Sequence, residues 1–265
     1  MSATSSVVLT TAAAVTSGPG AVVVLGVTSA IARALAAEFA REGHDLIVCG
    51  RDSEETNAIA CDLELRHSVR VVAKCFDAEA IDAHAAFVDQ CMEDGNGTVD
   101  GVVLAFGFMD EQSAAQTNPA IARRTIDVNV NATIAICERF AFHFEAARRG
   151  FIAGISSVAG DRGRQSNYIY GASKAAMSAY LQGLRNRMCA YGVKVHTIKP
   201  GFVDTKMTWG LPLPGALVAS PERAAREIHA AILRGKDIAY VPWFWRYIMM
   251  IIRAIPEWQF KKMKL

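Results

Sequence analysis

From residue 21 onward, short runs of continuous apolar residues alternate with longer stretches in which apolar residues recur every three or four positions. The first run, 21–25 (AVVVL), is too short for a helix and is β-branched, so it reads as a buried strand. Gly26-Val27-Thr28-Ser29 interrupts it, the helical spacing then holds over 30–41, and Gly43 closes that helix. The same alternation predicts strands at 45–49, 69–76, 99–106, 151–156, 193–198 and 238–241. It predicts helices at 53–66, 80–92, 119–148, 167–191 and 221–233. Strands that are apolar throughout and separated by helices belong to a parallel sheet covered on both faces. The expected fold class is therefore α/β: a doubly wound parallel sheet of about seven strands spanning 21–241, without an internal repeat or linker. Residues 1–20 are rich in Ala, Ser and Thr and carry no charged side chain. They are expected to form a disordered N-terminal extension ending at Gly18-Pro19-Gly20. Residues 242–265 form an amphipathic C-terminal tail.

Composition narrows the function classes. The chain has 265 residues, 52% hydrophobic and 20% charged, which is globular. A net charge of +2, with no Lys/Arg cluster before the last few residues, gives no footprint for nucleic acid. The six cysteines stand singly, mostly in apolar runs, and read as reduced core cysteines of a cytoplasmic protein. The six histidines show no ligand spacing, so no metal site is expected. No uncharged run of about 18 apolar residues is present to span a bilayer.

In a doubly wound sheet, ligands bind outside the carboxyl ends of the strands. The chemically unusual residues fall there: Gly26 to Ala32 after the first strand, Gly50-Arg51 after the second, Asp77 after the third and Gly107 after the fourth. Ser157 follows the fifth and Pro200-Gly201 the sixth. The first turn places Gly26, Thr28, Ser29 and Ile31 at a helix N-terminus, where backbone N–H groups meet a pyrophosphate. Ala30 and Ala32 stand where close approach favours glycine, so a plain strand–helix turn is the competing reading. Arg51, with no acidic residue at its position, suits a ribose 2′-phosphate. This favours NADP(H) over NAD(H), against the alternative of a solvated surface charge.

The most chemically pointed stretch holds Ser157, Tyr170 and Lys174. Tyr170 and Lys174, four apart, share a helix face. A phenol near an ammonium is expected to titrate lower than usual and to serve as a general acid–base, and Ser157 can meet a carbonyl oxygen. Taken alone, Tyr-x-x-x-Lys is more often an ordinary helix surface, since short motifs recur by chance.

These residues resemble the short-chain dehydrogenase/reductase family over about residues 21–241. Ser157, a twelve-residue gap and Tyr170-Gly171-Ala172-Ser173-Lys174 are similar to its central motif. Asp127-Val128-Asn129 looks like its helix asparagine, with Asn131 a nearby competitor. Residues 199–205 (KPGFVDT) look like its proline–glycine turn. The resemblance implies a Rossmann-like fold and NAD(P)H-dependent ketone reduction. Its catalytic residues would be Asn129, Ser157, Tyr170 and Lys174. Its cofactor-binding residues would be Gly26, Thr28, Ser29, Ile31, Arg51, Asp77, Ala105, Gly107, Tyr170, Lys174, Pro200, Val203 and Thr205. In these roles Tyr170 protonates the carbonyl, Lys174 lowers the tyrosine pKa and binds the nicotinamide ribose, and Ser157 polarises the carbonyl. Asn129 holds a water for proton resupply. Two departures stand out: Gly-x-x-x-Ala-x-Ala for the glycine motif, and Leu104-Ala105-Phe106-Gly107 after the fourth strand.

Residues 206–220 (KMTWGLPLPGALVAS) are expected to be a lid over an apolar substrate, or else a packed connecting loop. In the tail, tryptophans, Arg246, Arg253 and a basic end suit a helix lying in a membrane surface, against the alternative of a helix packed on its own domain or a second subunit. Ala105-Phe106-Gly107, residues 156–160 and the ending at 246–256 look like the branch that reduces decaprenylphosphoryl-2-keto-erythro-pentose. That resemblance implies a lipid-linked ketone substrate and a partner FAD-dependent oxidase. It also implies a peripheral contact with the inner membrane face. The family implies a homo-oligomer. The alternatives are a reductase of fatty-acyl, steroid or other apolar ketones, and a catalytically inactive nucleotide-sensing or scaffold protein.

Overall fold

The computed structural model describes residues 19–95, 98–210 and 214–263. The N-terminal extension therefore lies outside the described residues except for Pro19 and Gly20, as do Leu211 and Leu213 of the expected lid.

Seven strands form one parallel sheet: β1 (Ala21–Leu25), β2 (Leu46–Gly50), β3 (Val71–Cys75), β4 (Val99–Leu104), β5 (Phe151–Ile155), β6 (Lys194–Pro200) and the last strand, β9 (Ile238–Val241). Their order is β3-β2-β1-β4-β5-β6-β9, so the winding reverses between β1 and β4. A separate two-stranded pair, β7 (Phe202–Val203) and β8 (Val218–Ala219), brackets the segment after β6.

Alternating residues of each strand feed two cores. Val22, Val24, Leu46 and Val48 point to one face, with Leu35 and Phe39 of α1 (Ala30–Arg41), Leu63 of α2 (Ser53–His67) and Ile228 of α8 (Pro221–Leu233). Val23, Leu25, Ile47 and Cys49 point to the other. There they meet Val88 of α3 (His84–Asp94), Phe140 of α6 (Ala132–Ala147) and Leu181 of α7 (Tyr168–Cys189). Side chains cap the helices where the sequence allows. The Ser29 hydroxyl accepts from Ala32 N at 3.2 Å, Asp52 Oδ1 from Glu55 N at 3.0 Å, and Ser220 Oγ from Arg223 N at 3.2 Å with Pro221 following.

Several boundaries differ from the periodicity. The helix expected over 119–148 is two, α5 (Pro119–Ile126) and α6, joined by a π-helical turn at Asp127–Asn131. The π-helical turn sits inside a continuous helical run, and no glycine or proline between 120 and 148 marks it in the sequence. A short α4 (Gln112–Thr117) precedes them. The tail is α9 (Trp245–Ala254) and α10 (Glu257–Phe260), separated at Pro256. Of the cysteines, Cys49, Cys91 and Cys137 are buried. Cys61, Cys75 and Cys189 are exposed, which corrects the expectation of core cysteines: they lie on outward positions of α2, β3 and α7.

Candidate active site

The carboxyl ends of β1 to β6 open into one cavity of 1010 Å³. Gly26 leaves β1 with φ of +85°, a conformation that suits glycine. A Cβ there would sit 2.8 Å from Phe106 N, because β1 and β4 are neighbours at the reversal of winding. Thr28, Ser29 and Ile31 line the cavity beyond it, at the positive end of α1. The two alanines of this turn differ. Ala30 lies exposed at the rim, whereas Ala32 is fully buried and packs inward with Leu35 and Ala36, so neither methyl closes the turn.

Arg51 lies at the mouth, largely exposed, with Nη1 4.0 Å from Glu79 Oε2. Glu79 is engaged more tightly by Arg124, whose Nε and Nη2 donate to it at 3.1 and 2.8 Å. Asp77 lines the same region; its Oδ1 accepts from Glu79 N at 3.0 Å and its carbonyl meets His84 Nε2 at 3.0 Å. Ala105 continues β4 by donating to Leu25 O at 2.9 Å. Gly107 keeps a gap open: a Cβ there would lie 3.2 Å from Asn129 Oδ1 and 3.5 Å from Lys174 Nζ. Pro200, Val203 and Thr205 line the opposite wall.

Ser157 begins a single 3-10 turn after β5, and its Oγ accepts from Ala159 N at 3.1 Å. Two glycines bring α7 against that turn. A Cβ on Gly160 would lie 2.7 Å from Ala175 N, and one on Gly171 2.9 Å from Ala159 O. Ser157, Tyr170 and Lys174 thereby line one cavity. Lys174 is 4% exposed; its Nζ donates to Ile155 O at 2.9 Å and lies 5.8 Å from the Tyr170 ring centroid. Burial pushes Lys174 down to about 8. Burial also pushes Tyr170 up to about 12, with the hydrogen bond to Ser157 acting in the other direction. This corrects the expectation that Lys174 makes the phenol acidic. In the protein alone the ammonium bonds to the Ile155 carbonyl, and desolvation governs both groups.

Asn129 is buried in the π-helical turn. Its Oδ1 accepts from Phe108 N at 2.7 Å, and its Nδ2 donates to Phe108 O at 2.8 Å and to Ser173 Oγ at 2.9 Å. The side chain thus ties the segment after β4 to α7, and its carbonyl accepts from Thr133 Oγ1 at 3.0 Å. Asn131 points away, donating to Asp127 at 2.7 Å on the exposed side.

Sequence reasoning missed several cavity residues. Phe106 packs on Phe76 with centroids 5.2 Å apart, and Phe108 lies under the Arg124 guanidinium at 4.5 Å. Thr208 Oγ1 donates to Val203 O at 2.7 Å and accepts from Thr205 N at 3.1 Å, fixing the turn that carries Thr205. Arg164, between Ser157 and Tyr170, lines the cavity, and no motif flags it. Of the expected lid, Met207 lines the cavity while Trp209 is 85% exposed.

The tail packs on the site from behind. Gly201 provides the notch: a Cβ there would fall 2.0 Å from the Trp245 ring, which also meets Phe202 edge-on at 4.9 Å. Met249 is fully buried, and Ile248 and Ile252 pack beside it. The opposite face of α9 exposes Tyr247, Met250 and Ile251, with Trp243 just before it. No helix among the described residues is long and apolar enough to cross a membrane.

The short chain dehydrogenase family model matches residues 20–213. An uncharacterized oxidoreductase of Mycobacterium tuberculosis is 30% identical over 246 residues, 93% of this chain and 98% of the relative. An uncharacterized oxidoreductase of Streptomyces coelicolor is 31% identical over 248 residues, 92% and 96% of the two chains. Among solved structures, a short-chain dehydrogenase from Sphingobium yanoikuyae in complex with NADPH superposes with a TM-score of 0.77 at 23% identity, covering 90% of this chain and 97% of its own.

Proposed function

This chain belongs to the short-chain dehydrogenase family, and from that premise we propose that it is an NADPH-dependent reductase of bulky apolar ketones, with Tyr170 as the proton donor. The observation that carries this reading is the convergence of Ser157, Tyr170 and Lys174 in the cavity that also receives the Gly26 turn.

The turn fits a dinucleotide. It combines a glycine where a Cβ would meet Phe106, hydroxyls at Thr28 and Ser29, and the positive end of a twelve-residue helix. Arg51, left largely free by Glu79, suits a 2′-phosphate, and the Sphingobium relative in complex with NADPH is in keeping with that preference. NADH is the competing cofactor. Bound there, the nicotinamide supplies the hydride.

The remaining chemistry belongs to the chain. With burial holding its pKa near 12, Tyr170 is a neutral phenol at neutral pH, the form that donates. An alkoxide is about as basic as hydroxide, whose conjugate acid has a pKa of about 15.7, so proton transfer from Tyr170 to the nascent alkoxide is downhill. Ser157 donates to the same carbonyl oxygen and stabilises its developing charge. Lys174 binds the ribose. Asn129 positions Phe108 and α7, and the proton-resupply water falls to the gap that Gly107 leaves beside Lys174.

Phe106, Phe108, Met109, Phe202 and Met207 give the cavity an apolar wall, which supports an apolar ketone. A lipid-linked 2-keto sugar, supplied by an FAD-dependent oxidase, is the finer reading within this class. The exposed apolar face of α9 beside Arg246 and Arg253 supports it as a peripheral membrane contact. A homo-oligomer is part of the same reading. The test is titration with NADPH and NADH, followed by Tyr170→Phe. NADPH binds, and the variant keeps that binding but loses ketone reduction. Turnover that survives in Tyr170→Phe, or failure of both dinucleotides to bind, overturns the function.

A further inference from the structure

Arg164 sits in the loop between the Ser157 turn and α7, and it lines the cavity with Ser157, Asn167 and Tyr170. Its Nη2 reaches Met249 Sδ at 3.2 Å, and its Nε is buried with no hydrogen-bond partner. Among the described residues it makes no ion pair within 4.0 Å, unlike its neighbour Arg162, which pairs with Glu257 at 2.9 Å. The one nearby carboxylate, Asp161, is already engaged: Lys199 Nζ holds one oxygen and Tyr240 Oη donates to the other at 2.7 Å. Two cations, Lys199 and Arg164, thus share a single anion. Burial pulls the Arg164 pKa down, opposed only by the Asp161 charge. On the same turn, Asn167 Oδ1 is also buried without a partner, and its side chain makes no cap to α7. Buried polar groups left unpaired cost free energy, and a guanidinium offers a planar fork that matches an oxyanion.

We propose that Arg164, with Asn167 beside it, forms an oxyanion-binding subsite in the substrate half of the cavity, so that the ketone reduced here carries a phosphate or carboxylate group. This rests on reading the cavity as a ketone-reducing site. Arg164 is a binding residue, and it takes no part in hydride or proton transfer. The buried amide of Asn167 rotates by half a turn to present its NH2 to the same oxyanion.

The experiment uses three probes with one acetophenone frame: 4-acetylphenyl phosphate, 4-acetylbenzoate and neutral 4-methylacetophenone. Two readouts are taken on the full chain, calorimetric binding and kcat/KM with NADPH. The wild type binds and reduces an anionic probe in preference to the neutral one. Arg164→Met lowers the anionic-to-neutral ratio about tenfold to a hundredfold in both readouts, the range for a lost charge-assisted hydrogen bond. Which anionic probe loses more distinguishes phosphate from carboxylate. Arg164→Gln replaces Arg164→Met if circular dichroism shows that the latter does not fold. In the wild type, added salt weakens the anionic probes alone. A ratio unchanged by either variant, or anion binding that survives in both and so belongs to the dinucleotide turn, overturns the subsite. If the wild type reduces none of the three, the ketone-reductase reading fails, while the binding arm still decides the subsite.

Discussion

Lys174→Met separates what this side chain does for chemistry from what it does to the fold. Lys174 is 4% exposed, and burial lowers its pKa from 10.5 to about 8. The unfolded chain therefore holds a proton in a window where the native protein has released it, and native stability rises with pH across that window. At about 1.4 kcal/mol per pH unit, the separation corresponds to about 3 kcal/mol of ammonium burial carried by the native state below pH 8. Methionine removes that burden. It also leaves Ile155 O, now bonded to Nζ at 2.9 Å, without its donor, a cost of about 1–3 kcal/mol that does not depend on pH. At neutral pH the two effects nearly offset, so the informative quantity is the change with pH. Urea midpoints of wild type and Lys174→Met, without added dinucleotide, are measured at about pH 7, 9 and 10.5. The wild type gains about 3 kcal/mol relative to the variant between the first and last points. Stability curves that stay parallel throughout would show that the native lysine titrates as it does in the unfolded chain, and the burial argument would fall.

Alcohol oxidation needs Tyr170 as a base. Its kcat/KM should climb about tenfold per pH unit below the phenol's apparent pKa; a flat profile refutes the assignment. Gly26→Ala meets both φ of +85° and a 2.8 Å approach to Phe106 N, so it should cost about 1–3 kcal/mol by urea titration and weaken NADPH binding. Asn129→Ala strips Phe108 N–H and C=O of their partners and should cost a further comparable about 1–3 kcal/mol, seen as a lower urea midpoint; an unchanged midpoint counts against the clasp.

The sheet was legible because its strands are short, continuous and β-branched. Val22–Leu25 packs helices on both faces, and no half-polar alternation was present to compete. The helices on either side were legible through apolar residues recurring every three or four positions, with Gly43 closing the first. The turn inside 119–148 was not, because no glycine or proline marks the π-helical insertion at Asp127–Asn131. Ser157, Tyr170 and Lys174 stood out by spacing, and the cavity brings them together. Their titration did not, since desolvation depends on how closely Gly160 and Gly171 let α7 approach the Ser157 turn. Arg164 was invisible for a related reason. Its surroundings include Met249 and Asp161, and the latter is claimed by Lys199 and Tyr240, contacts that exist only once distant segments have met.

Arg162 gives the tail a second role. Its Nη1 donates to the carbonyls of Ile252, Arg253 and Ile255 at 2.9, 3.0 and 2.6 Å, and its guanidinium lies 3.9 Å from the Phe260 ring. The carbonyls at the end of α9 are thus terminated by a residue five positions after Ser157 and two before Arg164. Cutting the protein after Val241 to ask what its end touches would also unfasten the segment that shapes the reaction chamber. Single polar replacements at Trp243, Tyr247 or Met250, all facing outward, interrogate the end without that collateral damage.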